Sequence, residues 1–190
     1  MARPKLKSDE EVLDAARTVL KRIGPLEFTL NDVAKEVGLA RATLIQRFTN
    51  RDVLLLRMME RETEQLRAHL EAEPLSVGPD GVWELLQRLV TGMGQGYEFS
   101  VNILIGWYET QVPGLQRLAA TRSGLIREAI DQRLPSSAPP STAALLQTVL
   151  AGACIHWFAE PEGAVTEHVL LRLREALHLL FPRHKAFKDA

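Results

Sequence analysis

Cysteine is almost absent from this sequence. Cys154 is the only one among 190 residues, so no disulfide can form within the chain, and its composition fits a reducing compartment. Neither sign of charge is in excess, because 23 lysines and arginines stand against 24 aspartates and glutamates. This balance excludes a globally basic nucleic-acid coat protein but leaves room for a local basic patch.

Long apolar segments are missing as well. The amino-terminal residues lack the apolar stretch of a signal peptide. No run reaches the roughly 18 apolar residues of a membrane span, and the nearest candidate, residues 142–159, is interrupted by Gln147 and His156. We therefore predict a cytoplasmic protein with no membrane partner.

The residues that are present favour helices. Hydrophobic residues make up 46% of the chain and charged residues 25%, the balance of a globular protein. Ser8 with Glu11 has the spacing of a capping box at a helix amino terminus, and Gly24-Pro25 is a helix-ending pair. No segment alternates apolar and polar residues as a strand does. The periodicity predicts an all-α fold of about nine helices, the fifth over roughly residues 82–98 and the sixth over residues 100–112.

The first 60 residues hold a local excess of positive charge. They carry a net charge of +2, against −3 for the remaining 130 residues. Within them, two short predicted helices are joined across Gly38, the order of a helix-turn-helix. The second helix of that motif enters the DNA major groove, so its outward face must be small or polar. Leu44 and Phe48 can face the core at i and i+4 spacing, which leaves Arg41 on another face.

Residues 28–55 resemble the DNA-binding domain of TetR/AcrR-family repressors. The resemblance rests on a cap threonine, a Val-Ala pair, a turn glycine, a Thr-Leu pair, an aromatic residue, a basic-acidic pair and a leucine. In this sequence these are Thr29, Val33-Ala34, Gly38, Thr43-Leu44, Phe48, Arg51-Asp52 and Leu54.

The resemblance implies two domains and a set of DNA contacts. It implies a three-helix helix-turn-helix domain over residues 1–52 and a larger helical ligand-binding and dimerisation domain over residues 53–190. Positions that meet base edges in the family are occupied by Arg41, Ala42 and Ile45. Positions that contact the DNA backbone are occupied by Thr29, Thr43, Gln46, Arg47 and Arg51.

Two residues depart from the family pattern. Ala40 stands where a small hydroxyl residue commonly caps the recognition helix, and such a cap is worth about 1 kcal/mol. Ile45 stands where the family usually has tyrosine, so a hydroxyl donor is replaced by a group suited to a thymine methyl. Both departures concern the operator contacts rather than the domain.

The resemblance also implies a transcriptional repressor that binds a palindromic operator as a homodimer and is released by a small hydrophobic effector. An effector pocket needs apolar walls with a few polar groups, and our candidates for it are Tyr97, Asn102, Trp107, Glu109, His156 and Trp157. The last two predicted helices have broad apolar faces, which favour a four-helix dimer interface. Its candidate residues are Leu146, Val149, Leu150, Val169, Leu173 and Leu177. We predict no cofactor and no metal site.

Two other classes of protein remain open. An all-α enzyme could act on a hydrophobic substrate in the same pocket, but the sequence has no metal-ligand series, phosphate loop or nucleophile with a placed base. Cys154 and His156 do not face each other on a helix. A ligand-free architectural DNA-binding module would have a tightly packed larger domain, whereas an open cavity near Trp107, Glu109 and Trp157 would favour a regulator.

Overall fold

The structure, a computed structural model, describes residues 7–184 and Phe187. This part of the chain contains nine α-helices and no strand, which confirms the predicted all-α fold. The helices are α1 (Asp9–Glu27), α2 (Leu30–Val37), α3 (Arg41–Phe48), α4 (Arg51–Ala72), α5 (Pro79–Thr91), α6 (Gly96–Glu109), α7 (Pro113–Asp131), α8 (Thr142–Ala159) and α9 (Val165–Leu180).

The predicted fifth helix is wrong at its carboxyl end. It ends at Thr91 instead of continuing to residue 98, and α6 begins at Gly96. The connection contains two glycines in the left-handed region, Gly94 with φ of 77° and Gly96 with φ of 54°. A residue with a β-carbon adopts these angles at a cost in free energy. The alternating glycines at 92, 94 and 96 therefore indicate the end of the helix, although the apolar periodicity suggests that it continues.

The first helix begins where the sequence indicates but continues past the predicted end at Gly24-Pro25. Ser8 accepts a hydrogen bond from the amide of Glu11 and the Glu11 carboxylate accepts one from the amide of Ser8, which completes the predicted capping box. Gly24, with φ of 76°, breaks the helix, and one more turn follows through Pro25 to Glu27. The break turns the chain toward Thr29 and α2.

The chain divides into two compact units. The first unit comprises residues 1–66 and 101–121, and the second comprises residues 67–100 and 122–190. In the first unit the apolar faces of α1 to α4 form one buried core, which also contains Leu115 from α7 and packs against Ile105 and Tyr108 of α6. This division departs from the predicted boundary after residue 52, because α4 and parts of α6 and α7 complete that core.

In the second unit, α9 packs against both α5 and α8. Val169 and Leu173 of α9 are buried, as are Leu85 and Leu86 of α5. By length and composition, α8 alone among the described helices is apolar enough to cross a membrane, with a mean hydropathy of 1.4, and 28% of that segment is buried. One such helix is weak evidence for a membrane span. Helix α8 is thus apolar, and much of its surface is not covered by the rest of the protomer.

Candidate nucleic-acid interface

The turn between α2 and α3 sets the geometry of the candidate interface. Thr29 caps α2, because its hydroxyl oxygen accepts a hydrogen bond from the amide of Asp32 at 3.3 Å. Gly38 ends α2 in the left-handed conformation with φ of 70°, and its amide donates to the carbonyls of Ala34 and Lys35. This glycine-ended helix and the two residues that follow it bring the chain into α3, the arrangement of a helix-turn-helix.

The side chains of α3 divide between the core and the surface. Leu44 and Phe48 are buried in the first unit's core. The exposed side chains of α3 are those of Arg41, Ala42, Ile45 and Gln46. Arg41 forms no ion pair within the part of the chain that the structure describes. Three predicted base-contact positions and one predicted backbone position therefore lie on the accessible side of this helix.

An open groove of about 430 Å³ lies beside α3. It is lined by Thr29, Leu30, Asn31, Arg41, Ile45, Thr49, Asn50 and Arg51. Two guanidinium groups and the amino terminus of α2 border the groove and are groups that attract a phosphate, while the carboxylates of Asp32 and Asp52 lie beside Thr29 and Arg51. The groove thus brings together four of the predicted contact residues: Thr29, Arg41, Ile45 and Arg51.

Arg47 is held by its own chain. Its Nε donates to the Asp9 carboxylate at 2.7 Å, one terminal nitrogen also bonds that carboxylate, and the other donates to the Lys7 carbonyl at 2.8 Å. The Arg47 side chain is 23% exposed. Neither acceptor was expected from the sequence, because 38 and 40 residues separate them from Arg47 and no local pattern joins the two ends.

Arg51 begins α4 and contacts two other elements of the first unit. A terminal nitrogen donates to the Pro25 carbonyl at 2.9 Å. Its guanidinium carbon lies 5.0 Å from the centre of the Tyr108 ring on α6, a cation–π distance. The preceding residue, Asn50, caps α4 by accepting from the amide of Val53 at 2.9 Å, a cap that the i,i+3 spacing could have revealed.

The family model for bacterial regulatory proteins of the tetR family matches residues 12–58. That segment contains α2, α3 and the groove residues just described. Over these residues the chain matches the DNA-binding domain of the TetR family. Residues 28–55, which carry the resemblance, lie entirely within the match, so the predicted family is confirmed.

Similar proteins include transcriptional regulators of the helix-turn-helix type. The chain is 28% identical over 119 residues to two uncharacterized HTH-type transcriptional regulators of Mycobacterium tuberculosis, MT1294 and Rv1255c. The match covers 62% of this chain and 56% of the length of those relatives. Their names describe transcriptional regulators rather than enzymes, in accord with the prediction that the chain is not an enzyme.

Solved structures share the TetR-family fold. The multidrug binding protein EbrR complexed with ethidium has a TM-score of 0.68 at 20% identity, and the match covers 88% of this chain and 97% of EbrR. SmeT, the repressor of the Stenotrophomonas maltophilia multidrug efflux pump SmeDEF, has a TM-score of 0.67 at 17% identity, with coverage of 91% and 90%. At these identities the likeness establishes the fold.

The candidate effector residues of the chain fall in both units. Asn102, Trp107 and Glu109 belong to the first unit, where Trp107 is exposed and Glu109 is buried. In the second unit, Tyr97 is exposed, and the other two candidates are His156 and Trp157. Their assignment to an effector site stays a prediction.

His156 and Trp157 have different surroundings within the second unit. The His156 ring stacks on the ring of His168 at 5.4 Å between centroids. Both histidines border an open cavity of about 530 Å³ between α8 and α9. Trp157 packs edge-on against Phe99 at 5.8 Å. Its indole nitrogen is buried and has no acceptor among the described residues.

The predicted dimer residues need correction. Leu146, Val169, Leu173 and Leu177 are buried inside the protomer, where α8, α9 and α5 pack together, so a second chain cannot reach them. Val149 and Leu150 are half-buried. The exposed large apolar side chains on α8 and α9 are those of Leu145, Ile155, Phe158, Leu171 and Leu179. Helices α8 and α9 therefore have an exposed apolar surface, but most of it comes from residues other than the predicted ones.

The chemistry of an enzyme is not assembled around Cys154. Its thiol is buried, and burial raises its pKa to about 11, so it is protonated at neutral pH. No group of three or more histidine, cysteine, aspartate or glutamate side chains suited to a metal ion occurs within the described residues. Its apolar setting favours a structural role for Cys154, as a small buried side chain.

Proposed function

We propose that this TetR-family protein regulates transcription, most simply as a repressor, by placing α3 in the major groove of operator DNA. The observation that carries the proposal is the division of α3 into two faces. Leu44 and Phe48 anchor it in the core, while Arg41, Ala42 and Ile45 are exposed. Arg41 suits guanine and Ile45 suits the methyl group of thymine.

Backbone contacts supply affinity in this proposal. The groove beside α3 combines Arg51 with Thr29 and the amino terminus of α2, groups that bind phosphate oxygens in other proteins; for this the Thr29 hydroxyl must exchange the Asp32 carboxylate for a phosphate. Thr43 and Gln46 flank the groove-facing residues on α3. Arg47, the remaining candidate for a phosphate contact, is treated below because of its partners within the chain.

A second copy of the chain completes the DNA-binding unit that we propose. The exposed apolar side chains of α8 and α9 include Leu145, Ile155 and Leu171, and exposed apolar surface of this kind marks protein interfaces. Two helices per chain make a four-helix interface around a two-fold axis. The two copies of α3 then require a near-palindromic operator with half-sites about 34–36 Å apart.

A small hydrophobic effector releases the DNA in this proposal. Support comes from the start of α4, where Arg51 contacts the Tyr108 ring and Leu56 lies against Gly114 of α7. A shift of α6 would therefore pull on the residue that borders the phosphate groove. The buried indole N–H of Trp157 is a free donor for an effector, and EbrR binds ethidium. The site of action of such a regulator is the cytoplasm.

Selection of bound DNA from a random pool tests the DNA-binding part. We expect an enriched sequence with two inverted half-sites, and an affinity that falls steeply between 50 and 200 mM salt because phosphate contacts release counterions. Arg41→Ala should bind the same pool with relaxed preference at one position in each half-site. Binding that is indifferent to both salt and sequence would refute the proposal.

The effector part needs a separate measurement. A panel of planar hydrophobic cations, ethidium among them, is titrated into the complex with the selected DNA, and release is followed by fluorescence anisotropy of the labelled DNA. A responsive regulator has a coupling of about 1–3 kcal/mol between the two ligands. Trp157→Phe, which removes only the N–H donor and part of the ring, should weaken release without altering DNA affinity.

A further inference from the structure

We propose that Arg47 is a positioning residue for α3 rather than a phosphate contact. It fastens the carboxyl end of the recognition helix to the amino terminus of α1 through Asp9 and the Lys7 carbonyl. The inference rests on the proposed DNA-binding function, because it concerns how α3 is held in the orientation that DNA requires.

All three nitrogens of the Arg47 guanidinium have partners within the protein. Nε and one terminal nitrogen bond the Asp9 carboxylate, and the other terminal nitrogen bonds the Lys7 carbonyl. Its guanidinium carbon also lies 5.7 Å from the centre of the neighbouring Phe48 ring. A planar guanidinium that bonds a carboxylate through two nitrogens fixes the direction of its side chain as well as its charge.

Helix α3 needs such a fastening because little else holds it. It has only eight residues, and its amino-terminal cap residue, Ala40, makes no side-chain hydrogen bond. Helices this short do not persist without tertiary contacts. Its core contacts come from Leu44 and Phe48, which lie on one line along the helix and leave rotation about that line weakly constrained. Arg47 lies off that line and restrains this rotation.

The contrast with Arg41 separates the two roles. Arg41 is exposed, borders the groove and forms no ion pair with the described residues, so it can meet DNA without giving up a partner. Arg47 is mostly covered and would have to exchange a carboxylate for a phosphate. The two arginines are six residues apart on one helix, yet Arg47 bonds its own chain through all three nitrogens, whereas Arg41 makes no ion pair with the described residues.

Three variants distinguish a positioning role from a phosphate contact. Arg47→Lys keeps the charge but loses the two-nitrogen fork, Arg47→Ala loses both, and Asp9→Asn keeps Arg47 but weakens its partner. Binding to the selected DNA is measured over a range of salt concentrations. A positioning role predicts that all three bind roughly tenfold more weakly, a step of 1.4 kcal/mol, with the salt slope of the original protein.

A phosphate contact predicts a different pattern. Arg47→Lys would then bind nearly as well as the original, since lysine serves a phosphate as a point charge. Arg47→Ala would lower the salt slope by about 0.9, and Asp9→Asn would strengthen binding by freeing Arg47. This pattern would overturn the inference. Arg57→Ala and Glu27→Gln are the matched controls, because they make the same charge changes at exposed residues of the same unit.

A second readout does not require DNA. Hydrogen exchange of the α3 amides should accelerate by similar factors in Arg47→Ala, in Asp9→Asn and in the double variant, because each breaks the same connection. Unchanged exchange in α3 would contradict the inference whatever the DNA result. Failure of the original protein to bind any DNA, with exchange accelerated in the variants, would instead refute the proposed function alone.

Discussion

Leu44 and Ile45 are consecutive residues of α3 with opposite environments. Leu44 is 0% exposed and Ile45 is 38% exposed. The sequence of α3 places no charge on the side that meets the core, and the helix turns its arginine at position 41 outward. Folding and recognition therefore depend on different residues of the same two turns, so substitution can separate them.

Replacement of Leu44 by alanine should destabilise the fold. Removal of a fully buried leucine side chain costs about 2–5 kcal/mol, since a cavity remains. Urea denaturation followed by circular dichroism gives the free energy of unfolding. Ile45→Ala is the matched control and should change it by less than about 0.5 kcal/mol, as exposed substitutions do. Equal losses in the two variants would show that the burial of α3 is misassigned.

Replacement of Arg41 by alanine should alter sequence preference more than stability. We expect a loss of about 1–3 kcal/mol of discrimination at one base pair of each half-site, because a bidentate contact to guanine is removed. Affinities for the selected operator and for its single-base variants measure this directly. A uniform loss across all sequences would identify Arg41 as a backbone contact instead.

A serine at position 40 should stabilise α3. Ala40 has the extended backbone of a helix cap, with φ of −69° and ψ of 140°, but makes no capping bond. A serine hydroxyl there can accept from the amide of Ala42 or Thr43, a contribution of about 1 kcal/mol. Urea denaturation checks the gain. Ala42→Ser adds the same hydroxyl inside the helix and should instead lower stability slightly.

A charge on the outer side of α8 should prevent association of two chains. Ile155 is 61% exposed in the protomer, so Ile155→Glu leaves the monomer fold intact and introduces a charge that an apolar interface cannot cover. Sedimentation equilibrium should change from dimer to monomer. Leu75→Glu, at an equally exposed leucine of the α4–α5 loop, should remain dimeric. Dissociation of both variants would indicate a general effect of charge.

The Cys154 thiol should react slowly with alkylating reagents. Burial raises its pKa to about 11, and the thiolate is the reactive form, so ionisation alone slows alkylation at pH 8 roughly 10²-fold relative to a free cysteine. The rate should rise with pH toward that pKa and should approach the ordinary value in urea. Rapid alkylation of the folded protein at pH 7 would contradict the buried, protonated state.

Local patterns in the sequence were sufficient for much of the fold. The capping box at Ser8 and the turn at Gly38 follow from spacing within one helix or turn, and the structure confirms both of them. The apolar run over residues 142–159, noted in the sequence, coincides with α8. These features depend on contacts between residues that are close in the chain.

Long-range pairing was out of reach of the same reasoning. The partners of Arg47 and Arg51 come from α1 and α6, and a sequence pattern does not bring such distant elements together. For α8 and α9, apolar residues occur on several sides, so periodicity could not tell the side that packs inside the protomer from the side that is exposed. Leu146 is buried inside the protomer, whereas its neighbour Leu145 is exposed.

The hydrogen bond from Arg47 to the Lys7 carbonyl has a practical consequence. The main chain just ahead of α1 is fastened to α3, the helix that we propose reads DNA, so changes immediately before Asp9 should disturb that helix. An affinity tag fused close before Asp9, or a protease cut there, would disturb α3, because the Lys7 carbonyl is bonded to the Arg47 guanidinium of that helix. Purification handles for operator studies therefore belong at the other end of the chain.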